Sequence, residues 1–332
     1  MKSSFAKEAK LQILETEIEN DCCSFAFLSG LLHASGELKL GGETIQAFLR
    51  TDIKELFDYV SKIVKRLYGE ELKVEIFDDF VVSRKVFYRI VFPTECCERM
   101  LIDTGIIRRI DGSIQLVQGI DEYLIQEECC KKAFVKGVFI GCATSSIKIS
   151  ENLAQKTSTG YHIEFTSINK QFLTDFAYIL SDFNIITKII ERKDQFVLYV
   201  KDSSFVSDIL ALVDASSSVL ALQNEIVARE MRNMVNRQTN CLSANISKTV
   251  EASIRQSNAI ETIINTIGIE SLSPDLQEVA VMRLANPEES LEELLRLSNI
   301  KLTKSGLNHR LRKIVNIANK IDKNMEEDKN NP

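Results

Sequence analysis

Between residues 301 and 320 the chain carries six basic residues, Lys301, Lys304, Arg310, Arg312, Lys313 and Lys320, and no acid, whereas residues 261–300 hold eight acids and two bases. Positive charge gathered in this way suits docking on phosphate. The net charge of −6 over 332 residues argues only against a generic coating of nucleic acid. In the same stretch Asn308 can pair bidentately with adenine, and an arginine with guanine. Lys301, Lys304 and Lys313 suit phosphate, which adds affinity without sequence information. Ser305 and His309 complete a candidate double-stranded-DNA-contacting set.

Other chemistry is scarce. Six of the eight cysteines form three adjacent pairs, Cys22-Cys23, Cys96-Cys97 and Cys129-Cys130. Neighbouring cysteines seldom bridge each other, and no C-x-x-C pair or Cys/His cluster has zinc spacing. Reduced, largely buried thiols are therefore expected, with no metal and no cofactor; zinc is the poorer alternative. His33 and His162 read as structural, and with only His309 besides there is no Ser-His-Asp or Cys-His set. No catalytic residue is assigned.

The elements that must position the basic stretch can be read from local signals. Ser273-Pro274 opens a helix with proline at its first position. Leu276, Val279, Ala280 and Leu284 recur at helical spacing, and Asn286-Pro287 ends the run. Ser290 and Glu293 form an S-x-x-E capping box for a short helix, and a turn through Ser298 to Leu302 leads to a last helix from about Lys304. There Leu307, Leu311, Ile314, Val315 and Ala318 make one apolar stripe, leaving Ser305, Asn308, His309, Arg312 and Lys313 opposite. This is the layout of a helix-turn-helix over Ser290 to Lys323, whose last helix would enter the major groove. Charge alone leaves equally open a three-helix bundle with a solvated basic face. Further upstream Arg229, Arg232, Asn233, Asn236, Arg237 and Asn240 share one helical face, with Lys248 beyond. That polar stripe could touch DNA phosphates or dock two domains.

The first two-thirds of the chain is a tandem repeat. CCSFAFLSGLLHASGEL (Cys22 to Leu38) recurs as CCKKAFVKGVFIGCATS (Cys129 to Ser145), with five of seventeen positions identical. Each copy continues into an alternating run, a helical pattern and two β-rich runs, predicting helix, two strands, helix, two strands, helix. Gly30 and Gly137 sit where two such helices would cross. The expected fold is α+β: two αββαββα units related by pseudo-two-fold symmetry, then an all-α domain. The expected boundaries are 1–104, 105–218 and 219–332.

LSGLLHASG (Leu28 to Gly36) and VKGVFIGCA (Val135 to Ala143) resemble the LAGLIDADG helices of homing endonucleases. In that family the eighth motif position is a metal-holding acid; here Ser35 and Cys142 stand in its place. Glu37 lies two residues further on, but the second copy has Thr144 there. Phosphodiester cleavage with two metals needs carboxylates from both helices, so a scaffold is expected and not an enzyme. A metal-dependent endonuclease using Glu37 is the alternative. The segment Met231 to Gln256 (Arg232, Asn233, Asn236, Arg237, Asn240, Cys241, Ala244, Asn245, Lys248, Gln256) and KSGLNHRLRKI (Lys304 to Ile314) are similar to the signature blocks of the WhiA family. With the paired CC helices the resemblance spans about residues 5 to 320, departing at GCATSS, where the family has a more glycine-rich helix end. It implies a DNA-binding regulator of transcription tied to sporulation, cell division and chromosome segregation, with protein partners in those processes. A division-linked assembly factor is the third reading.

Length points to two or three domains. No apolar run approaches a membrane span and the N-terminus lacks a signal-peptide core, so the expected location is cytoplasmic, at the nucleoid.

Overall fold

The computed structural model describes residues 4–41, 44–79, 85–149, 160–297 and 302–329. They form two compact units, Met1–Glu230 and Met231–Pro332.

The first unit opens with helix α1 (Phe5–Glu15), capped where Ser4 accepts from the Lys7 N–H at 3.3 Å. The first repeat follows as α2 (Asp21–Ser35), β1 (Gly36–Gly41), β2 (Thr44–Thr51), α3 (Glu55–Tyr68), β3 (Lys73–Asp79), β4 (Lys85–Val91) and α4 (Thr94–Asp103). A hairpin, β5 (Ile107–Ile110) and β6 (Ser113–Leu116), joins it to the second repeat. Asp111 and Gly112 both take positive φ there, as a two-residue turn matched to strand twist requires. The second repeat is α5 (Glu128–Cys142), β7 (Ala143–Ser145), β8 (Ile163–Ser167), α6 (Lys170–Asp182), β9 (Lys188–Arg192), β10 (Gln195–Val200) and α7 (Ser203–Leu212). The αββαββα order expected from the sequence is present twice. The two antiparallel sheets have equivalent strand orders, β1-β2-β4-β3 and β7-β8-β10-β9.

The repeats meet through α2 and α5. Nine consecutive or near-consecutive residues of α2, Cys23 to Leu32 save Phe25, are buried, because sheets and helices surround it on every side. A Cβ added at Gly30 would overlap the Phe134 carbonyl oxygen, and one at Gly137 the Phe27 carbonyl oxygen. Each glycine thus receives the backbone of the other helix, which offsets the roughly 1 kcal/mol that glycine costs in a helix. Both repeats contribute to one apolar core, from Phe5 to Leu222.

The expectation of largely buried thiols holds for Cys23, Cys96, Cys97 and Cys130, while Cys142 is half-buried and Cys22, Cys129 and Cys241 are exposed. Linear spacing contained no zinc-like cluster, yet Cys22, Cys23, Cys129 and Cys130 converge, with all four sulfurs within 4.8 Å of one another. The pairing of α2 with α5 brings together residues about a hundred positions apart.

Helix α8 (Ser216–Thr266) is 51 residues long, and its last turns belong to the second unit's core. Then come α9 (Pro274–Ala285), α10 (Leu291–Leu297) and α11 (Lys304–Lys329). Among the described residues the second unit is therefore a four-helix arrangement, in which the end of the predicted linking helix is itself part of the core. Ala259, Ile260 and Ile263 of α8 close over Leu276, Val279, Leu294, Leu307, Leu311 and Ile314. No helix among the described residues is long and apolar enough to cross a membrane.

Candidate nucleic-acid interface

Helix α11 owes its orientation to one stripe. Leu307, Leu311, Ile314 and Ala318 are buried and Val315 is half-buried, as the period of 3.6 residues requires. Thr303 accepts from the Gly306 N–H at 3.1 Å and starts the helix. Ser290 accepts from the Glu293 N–H at 3.2 Å and starts α10, so the Ser half of the anticipated capping box is in place.

The stripe turns Ser305, His309, Arg312 and Lys313 outward, and all four are exposed. Among the described residues Arg312 and Lys313 have no hydrogen-bond or ion-pair partner. The remaining predicted contacts flank this face. Lys304 is exposed and pairs with Glu292 of α10 at 2.6 Å, an ion pair that lowers the Glu292 carboxyl below its ordinary range. Arg310 leans the other way, half-buried, with its guanidinium 3.2 Å from the Asp275 carboxylate at the start of α9. Such partly exposed pairs are individually weak and can be exchanged for phosphate. Asn308 is half-buried and lines a cleft of about 250 Å³ with Lys248, Gln256 and Ser290. Lys301 lies outside the described residues, as do all but Leu302 of the predicted turn through Ser298 to Leu302.

Of the linking-helix set, Asn236, Arg237 and Lys248 are exposed and Arg232 is half-buried. Arg237 donates from Nε to the Asn233 carbonyl one turn back, at 3.2 Å. Arg229 belongs to the first unit, where its guanidinium stacks 4.2 Å from the Tyr161 ring. Sequence reasoning missed the second unit's buried arginine. Arg283 is 2% exposed and donates to the Glu289 carbonyl at 2.7 Å and, at 3.4 Å each, to the Asn286 carbonyl and Ser253 hydroxyl. It ties the loop before α10 to α8 without any carboxylate. Burial holds its guanidinium below the ordinary value. The signal was available: Arg283 falls on the Leu276–Val279–Ala280 stripe of α9.

At the far ends of α2 and α5 the positions of the endonuclease acids carry no charge. The Ser35 hydroxyl donates to the Leu31 carbonyl at 3.0 Å, and the Cys142 thiol to the Val138 carbonyl at 3.6 Å. Burial pushes the Cys142 thiol up to about 12. A neighbouring cavity of about 300 Å³ is lined by Lys10, Arg50 and Asp52 beside Ser35. Asp52 is taken by Lys7 at 3.2 Å, and Glu37 is exposed on β1. Burial lowers the Lys10 ammonium, against the opposing pull of Cys142 and Asp52. The sheet residues are mixed in charge: Arg89 stacks 3.8 Å from Phe48, whereas Glu164 takes Arg192 at 3.6 Å and His162 at 3.7 Å.

Comparison with known proteins places these features. A family model for the WhiA LAGLIDADG-like domain matches residues 131–232, and one for the WhiA C-terminal HTH domain matches residues 235–318. The chain is 35% identical over 319 residues to a probable cell division protein WhiA of Alkaliphilus metalliredigens, covering 96% of this chain and 98% of that one. The chain belongs to the WhiA family. A second WhiA relative, from Clostridium beijerinckii, is 34% identical over 90% of this chain and 92% of its own length. The crystal structure of full-length DUF199/WhiA from Thermatoga maritima superposes with a TM-score of 0.56 at 22% identity, covering 96% of this chain and 99% of that one. That likeness extends the WhiA fold to the whole chain, a LAGLIDADG-like unit followed by a helix-turn-helix region.

Proposed function

We propose that this WhiA-family chain is a sequence-specific DNA-binding regulator that reads duplex DNA mainly through α11. Ser305, Asn308, His309 and Arg312 would meet base edges, and Lys301, Lys304, Arg310 and Lys313 would meet phosphates. The carrying observation is the outward face, free of acids from Lys304 to Lys320, of a helix whose opposite stripe is locked into a core. Arg232, Asn236, Arg237 and Lys248 extend a polar surface along α8 that suits further binding to phosphate.

The first unit acts in this reading as a scaffold without nuclease activity. Metal-assisted phosphodiester cleavage needs converging carboxylates, whereas Ser35 and Cys142 are neutral and Lys10 and Arg50 bring positive charge to the adjacent cavity. The cell-division names of the relatives favour a role linked to division; in this reading that role is transcription control, exercised at the nucleoid in the cytoplasm. Fluorescence-anisotropy titration with genomic fragments tests the proposal. Lys304→Ala/Arg312→Ala should weaken binding at least tenfold and flatten its salt dependence. Unchanged affinity in that double variant would remove α11 from the interface.

A further inference from the structure

The family relationship accounts for the helix pair but not for what gathers at its other end. Cys22 and Cys23 lie in the first turn of α2, Cys129 and Cys130 in the first turn of α5. Each pair stands eight residues before the glycine at which the helices cross, about 12 Å along the axis. The pseudo-two-fold relation therefore brings two sulfurs from each repeat to a common point, all four within 4.8 Å of one another, with Cys22 and Cys23 sulfurs 4.0 Å apart. Sulfurs bound to one tetrahedral zinc ion at about 2.3 Å stand about 3.8 Å apart. An inward movement of roughly an ångström or less closes such a site.

We propose that these four cysteines form a structural site for a single thiophilic divalent ion, zinc, that staples the two repeats together.

The surroundings suit four thiolates. Both helices are 15 residues long and end their dipoles on the cluster, and the first-turn N–H groups are unclaimed by a side-chain cap at Asn20 or at Glu127. Cys22 and Cys129 are exposed and give the ion an entry, while Cys23 and Cys130 are buried and shield it. Binding replaces four S–H bonds by four Zn–S bonds, releases four protons to solvent and leaves two negative charges on the centre. No oxidant is needed. A four-iron cluster would hold its cysteine sulfurs farther apart than one ion does. The ion would act by stability, because it binds the folded chain and not the separated helices.

The test uses the full chain, purified anaerobically with its thiols reduced. Mass spectrometry of the metal content should find one zinc per chain, and cobalt(II) titration should give the intense absorption of tetrahedral cobalt thiolate at a one-to-one endpoint. Cys22→Ser/Cys129→Ser should lose both, and zinc should protect Cys22 and Cys129 from alkylation in the parent chain. Zinc should also raise the unfolding temperature of the parent and not of the variant. Substoichiometric zinc with an octahedral cobalt spectrum, or a disulfide within the cluster after anaerobic handling, would overturn the proposal. If the variant fails to fold, the cobalt spectrum of the parent chain decides the matter alone.

Discussion

Helices α2 and α11 are both held by leucines, but they do opposite things with the rest of their surface. In α2 buried residues run round the circumference from Cys23 to Leu32, leaving exposure only at the first turn. Among the described residues of α11 the buried ones are Leu307, Leu311, Ile314 and Ala318, and the remaining arc carries exposed Ser305, His309, Arg312 and Lys313. A helix apolar on all sides joins two halves of a core; a helix with one apolar stripe presents its other side. In the proposed reading the LAGLIDADG-like helices are interior struts, and recognition belongs to α11.

The contrast would fail most completely at the glycines. Gly30→Val/Gly137→Val forces two side chains into backbone carbonyls and should abolish cooperative folding of the first unit, seen as loss of near-UV circular dichroism and of its calorimetric transition. Leu311→Ala should cost about 3 kcal/mol by opening a cavity in the second core, read by urea denaturation. Arg312→Ala/Lys313→Ala should leave melting unchanged while lowering DNA affinity about tenfold and reducing the salt slope by about 1 for each phosphate no longer neutralised. That pair separates the presented face from the buried one.

Acid distinguishes the two interiors further. His33 stacks on Phe172 at 5.4 Å, and burial pushes its imidazole down to about 4. The folded state thus binds its proton later than the unfolded chain does. Its contribution to stability is complete above about pH 6.5 and is lost as pH falls from there towards 4. His33→Phe should therefore show a shallower loss of stability between pH 7 and pH 4.5 in denaturant titrations than the parent chain. The smallest effect belongs to the solvent-facing ion pair of Lys62 and Glu17, 2.9 Å apart with both side chains over 70% exposed. Lys62→Ala should leave the denaturation midpoint unchanged in the same titrations.

Much of the architecture was legible because its signals are local. The repeat of CC-x-x-AF-x-x-G announced two equivalent units, and both appear with the same order of elements. Ser273-Pro274, Ser290 and the Leu307–Leu311–Ile314 stripe marked helix starts and one buried face, each depending on neighbours within a turn or two. The acid-free stretch from 301 to 320 was visible by inspection. The roles of its members were less so: Arg310 faces Asp275 and Lys304 faces Glu292, pairings set by how α9 and α10 pack on α11. The final turns of α8 also read as a continuing link until the core that covers Ile260 and Ile263 is seen.

Residue type and period, then, determined which segments coil, which faces go inward and where the positive charge collects, since these follow from interactions over a few positions. Tertiary structure alone decided that Cys22, Cys23, Cys129 and Cys130 share a point, that Lys10 lies beside the position an endonuclease acid would occupy, and that Arg283 can be buried with only carbonyls and a hydroxyl for company. Those outcomes depend on the crossing of helices far apart along the chain, and no linear spacing encodes the distance between two segments that meet only after the core has closed.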